Sequence, residues 1–101
     1  MIQRAQESSD RYRYNVALQY YEIILERFPF DIDSIIAAEY EIAFIHFKQR
    51  RYAVARTGFT SLLERYNHPD AVLLPQQFRI LSERILLTID EREIQGARSR
   101  T

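Results

Sequence analysis

The sequence predicts an all-α domain built as a stack of antiparallel helix hairpins, and three observations predict it. Apolar residues recur at helical spacing along most of the chain. Helix breakers are scarce, with two Gly and three Pro. One fifteen-residue stretch occurs twice. At 101 residues the chain has room for one modest core and no second domain. With 47% hydrophobic and 28% charged residues it has the composition of a folded helical domain.

Five helices are expected, near residues 2–11, 14–28, 34–49, 52–66 and 75–93. In the second, Ala17, Tyr21, Ile24, Leu25 and Phe28 fall on one face, and Pro29 ends it. The third has Asp33 or Ser34 as its N-cap and Gln49-Arg50-Arg51 as its exit. Its Ile35, Ile36, Tyr40, Ile42, Ala43, Phe44, Ile45 and Phe47 leave little polar surface, so it is flanked on both sides or faces a ligand. The fourth repeats the second at an offset of 38 residues: Tyr14, Val16, Ala17, Leu25, Glu26 and Arg27 recur as Tyr52, Val54, Ala55, Leu63, Glu64 and Arg65. Ala17 and Ala55 each give a neighbouring helix room to approach, with Tyr21 and Phe59 one turn later filling the space beside it. Asn67-His68-Pro69-Asp70 stops this copy. The fifth begins near Pro75 and carries Phe78, Leu81, Ile85, Leu86 and Ile89 at helical spacing. The domain is expected to span 1–93, and residues 94–101, without an apolar anchor, to form a flexible tail.

This pattern resembles the tetratricopeptide repeat: a small residue, an aromatic four positions later, an apolar pair and a helix-ending Pro. Ala17, Tyr21, Ile24-Leu25 and Pro29 match in the first copy; Ala55, Phe59 and Leu62-Leu63 match in the second, where Asn67 replaces the Pro. Ile42-Ala43 stands at the family's Leu-Gly pair, but Glu39 and His46 occupy positions where the family usually has aromatics. Phe78, Leu81, Ser82 and Ile85 fit the same first-helix pattern better. The resemblance implies a right-handed superhelix whose first helices line a concave groove that binds peptides. The long repeat, ending in Glu-Arg-Phe-Pro and Glu-Arg-Tyr-Asn, is similar to those of bacterial envelope proteins such as outer-membrane assembly lipoproteins and the Tol-Pal coordinator.

On that resemblance the partner-binding residues are Tyr40, Phe44, Phe47 and Lys48, three rings spaced i, i+4 and i+7 with a cation at the edge; the alternative is that the rings are core. Lys48, Arg50, Arg51 and Arg56 form the densest basic cluster, either a solvated turn or an anion or RNA contact. His46 reads as a core or interface imidazole, and Asp31 and Asp33 as helix caps. The chain is expected not to be an enzyme: there is no Cys, no Gly-rich phosphate loop, and neither histidine has partners at triad or metal-site spacing. No cofactor or metal is expected. Acidic and basic residues balance at 14 each, so no global field recruits nucleic acid or membrane. No apolar run is long enough for membrane insertion, and the compartment stays open. Two functions are consistent with this: an adaptor that binds a protein or peptide in its concave groove, and a structural module that self-associates, as a homodimer, through an open end of the stack.

Overall fold

The computed structural model describes residues 2–99, with side chains described from 10 to 97; residues 1, 100 and 101 of the expected domain and tail lie outside it. The described residues are helical with no strand: α1 (Ile2–Arg27), α2 (Ile32–Lys48), α3 (Tyr52–Glu64) and α4 (Gln76–Ser99), with 3₁₀ turns at Arg65–Asn67 and Pro69–Leu73.

Four α-helices therefore replace the five expected. The helices assigned to 2–11 and 14–28 are one continuous element. The reason is local: between Ile2 and Arg27 there is no Gly or Pro, and nothing at residues 11–14 breaks the hydrogen-bond ladder. Pro29 does end α1, as expected. Asp31, one of the two aspartates read as helix caps, caps α2 in place of the N-caps Asp33 or Ser34: its carboxylate accepts from the Ser34 amide at 3.3 Å and the Ser34 hydroxyl at 2.8 Å. α4 continues to Ser99, past the predicted end at 93, so the expected tail is helical as far as it is described.

Each helix packs antiparallel on the one before it. Leu25 of α1 lies beside Glu39 and Ile42 of α2, whereas Tyr14 lies beside Gln49. The α2–α3 approach is close: a Cβ built on Gly58 would stand 3.0 Å from the Ala43 Cβ. Arg65 near the end of α3 pairs with Glu39 of α2 at 2.7 Å, and Arg56 near its start pairs with Asp90 (2.6 Å) and Glu93 (2.7 Å) near the end of α4. The connection into α4 is pinned by Tyr66, whose hydroxyl donates to the Pro75 carbonyl at 2.7 Å, and by Gln76, which donates to the Ala71 and Leu74 carbonyls.

The core is Ile36, Tyr40 and Ala43 of α2, Ala55, Phe59 and Leu62 of α3, and Ile89 of α4. Ser82 of α4 is also fully buried, its hydroxyl without a hydrogen-bond partner. α1 contributes no fully buried side chain among those described: Tyr14, Ala17, Leu18, Tyr21, Ile24 and Leu25 are half-buried. The stack is a slab of 47 × 32 × 17 Å. A helix with its side chains is roughly 10–12 Å across, so a slab this thin covers only one face of its outer helices.

Candidate protein-interaction surfaces

Among the described residues, four surfaces carry groups that a folded chain normally covers or pairs. The first is the predicted ring stripe on α2, which the fold splits. Tyr40 is 7% exposed and belongs to the core, 5.8 Å from Phe59 and 5.2 Å from Phe78 between ring centroids. Its ring is committed to joining α2, α3 and α4 and offers no contact surface. Phe44 and Phe47 continue the row half-buried, and Lys48 is exposed. Each of these rings carries a cation: Lys48 Nζ is 5.2 Å from the Phe44 centroid, and Arg92 Cζ is 4.9 Å from that of Phe47. Arg92 also donates to the Tyr52 hydroxyl at 2.9 Å. Tyr52 and Arg92 thus complete the row, and sequence reasoning missed both. Arg92 lies 45 positions from Phe47 in sequence, and only the antiparallel return of α4 brings them together.

The second surface is the outer face of α1. Tyr12, Val16, Tyr20 and Ile23, spaced i, i+4, i+8 and i+11, are 70%, 47%, 61% and 46% exposed. They run along the side opposite the half-buried stripe that meets α2. α1 is thus apolar on two faces and covered on one. α4 repeats this more weakly, with Ile80, Leu87 and Ile94 exposed at intervals of seven. Both stripes were legible in the sequence as second apolar periodicities.

The third surface is a polar hollow of about 830 Å³ where the α2–α3 turn meets α1, lined by Arg11, Lys48, Arg50 and Arg51 with one carboxylate, Asp10. On the other side of α2, between α1 and α3, a groove of about 460 Å³ is floored by Ile42, Ala43 and His46 and walled by Leu25 and Val54. His46 Nδ1 is buried there without a hydrogen-bond partner. Burial, then the Arg51 charge, pushes the imidazole pKa below its ordinary value against a smaller opposite pull from Glu22, favouring the neutral ring. Among the described residues no three His, Asp or Glu side chains converge as metal ligands, and no helix is long and apolar enough to cross a membrane.

The chain is 33% identical over 78 residues to a protein of Treponema pallidum (strain Nichols) described as an uncharacterized protein; the alignment covers 77% of this chain and 31% of that protein. The chain thus matches a stretch of a longer polypeptide. No family model and no solved structure matches it.

Proposed function

We propose that the chain is a helical-repeat interaction module of the tetratricopeptide kind, which works by docking its open helix faces on protein surfaces, in the first instance on a second copy of itself. The observation that carries this is the second apolar stripe of α1, with two tyrosines and two aliphatic side chains exposed on one line. The stripe is nearly symmetric about its midpoint. Pairing two α1 helices antiparallel sets Tyr12 against the second copy's Ile23 and Val16 against its Tyr20, the self-complementarity a two-fold interface requires. The repeat reading is supported by the packing of α1 and α3, which carry the two copies of the stretch repeated at an offset of 38, each against α2, and by the return of α4 onto α2 and α3.

Light scattering over a concentration series tests it. The chain is expected to pass from monomer to dimer as concentration rises, and Tyr12→Glu with Val16→Glu to hold it monomeric, with a melting temperature unchanged at dilutions where the wild type is also monomeric, since both side chains are exposed. A sharp monomer mass at hundreds of micromolar overturns the proposal.

A second reading rests on the half-exposed rings of Phe44 and Phe47 under Lys48 and Arg92: a surface for an aromatic or acidic stretch of a bound peptide. Lys48→Glu should weaken capture of such a peptide without lowering the melting temperature. Unchanged capture removes this surface from consideration.

A further inference from the structure

The hollow at the α2–α3 turn has a different chemistry from the apolar faces. Four cations, Arg11, Lys48, Arg50 and Arg51, line it against one carboxylate, Asp10. Elsewhere Arg56 pairs with Asp90 and Glu93, Arg65 with Glu39 and Arg79 with Glu83, whereas the other described arginines stand singly and are not gathered around one concavity. Among the described residues Arg11, Arg50 and Arg51 have no such partner. Like charges gathered around one concavity repel, and among the residues that line it Asp10 alone opposes them.

The backbone adds an independent observation. Arg50 has φ of 62°. It follows the C-cap Gln49, and its amide donates to the Phe47 carbonyl while that of Arg51 donates to the His46 carbonyl. This is the Schellman termination, whose left-handed residue is normally Gly. An arginine here carries left-handed strain that Gly would not. The turn would therefore form better without the cation that stands in it. Strain of this kind is a reason to look for a function in the side chain.

We infer that this hollow is a binding site for an acidic peptide segment, with Arg11, Arg50 and Arg51 as its carboxylate-binding residues and Lys48 at its edge. A guanidinium takes a carboxylate with two parallel hydrogen bonds. Cations spread around an open hollow of about 830 Å³ suit several carboxylates along a chain. They suit a single phosphate less well, because the turn amides that would cradle one, those of Gln49, Arg50 and Arg51, are spent on the Ile45, Phe47 and His46 carbonyls. The site is separate from the apolar face of α1 and does not depend on self-association.

Fluorescence anisotropy with a labelled Glu-rich peptide, its Gln-substituted counterpart as control and inorganic pyrophosphate as competitor tests this. The Glu peptide is expected to bind, more weakly as salt rises, and the Gln peptide not to bind. Arg50→Gly is expected to raise the melting temperature and weaken peptide binding roughly tenfold, the loss of one charge-assisted contact. Arg50→Lys, which keeps charge and strain but loses the two-pronged contact, should bind with an affinity between those of wild type and Arg50→Gly at an unraised melting temperature. Absence of Glu-peptide binding overturns the proposal, as does equal binding by wild type, Arg50→Gly and Arg51→Gln. Saturable pyrophosphate binding without peptide binding also overturns it, in favour of a phosphate ligand.

Discussion

At the scale of single residues, the polar groups report most. His46 was expected to be a core or interface imidazole, and it lies half-buried at the floor of the groove between α1 and α3. Its Nδ1 is unpaired, Arg51 is near, and Glu22 of α1 opposes the effect; Glu39, in the same groove, is occupied by Arg65. A base whose folded-state pKa lies below its ordinary 6.5 is held neutral by the fold, so the unfolded chain binds the extra proton. Its contribution to stability is therefore complete above pH 6.5 and is lost as pH falls through that value. The melting temperature should drop on going from neutral pH to mild acid, and His46→Leu should flatten that drop; an equally steep drop in the variant shows that other groups cause it. Tyr40 teaches the converse. Its spacing with Phe44 and Phe47 placed it on the right face of α2, but a helix face can hold core and surface at once, and only the position of Phe78 decided which part of the stripe was sealed.

At the scale of elements, the small residues govern how closely helices approach. Ala55 is fully buried, and one turn on, Gly58 meets Ala43 so closely that an added Cβ would stand at 3.0 Å. The α2–α3 interface has no slack to accept a larger side chain. Ala55→Leu should overpack it and destabilise by about 1–3 kcal/mol, measured by chemical denaturation. A variant as stable as wild type would show that the helices can slide apart, and the packing argument would fail. The equivalent Ala17 of α1 is only half-buried, so the same exchange there should cost less. The repeat was legible because its Ala-aromatic spacing writes a helix–helix contact into local sequence. The fusion of two expected helices into α1 was the misjudged element, since the family pattern supplied a break for which residues 11–14 hold no chemical cause.

At the scale of the whole molecule, the deciding feature is thinness. In a slab 17 Å thick, α1 and α4 are end helices, each with an apolar stripe facing outward. If α1 pairs with α1, assembly closes at a dimer; if α1 of one copy meets α4 of the next, the contact is head-to-tail and growth is open-ended. The near-symmetry of the α1 stripe favours closure. The mass of the concentrated protein should therefore level off at two chains, and a rising ladder of masses would identify the α1–α4 contact instead. The longer Treponema protein, of which the matched stretch is 31%, places a similar stretch within a larger chain.

What the sequence by itself determined was set by neighbours along the chain: helical periodicity, the stops at Pro29 and at Asn67-His68-Pro69, the repeat, the buried small residue at Ala55, and the absence of strands among the described residues. These depend on spacings within one or two helical turns, which a linear pattern records directly. Tertiary structure alone decided which apolar face is covered, that Arg92 reaches Phe47 and Tyr52, and that Arg11 joins Arg50 and Arg51 around one hollow. Those outcomes turn on how helices far apart in sequence lie against one another, and an amphipathic pattern says that a face wants cover without saying what supplies it.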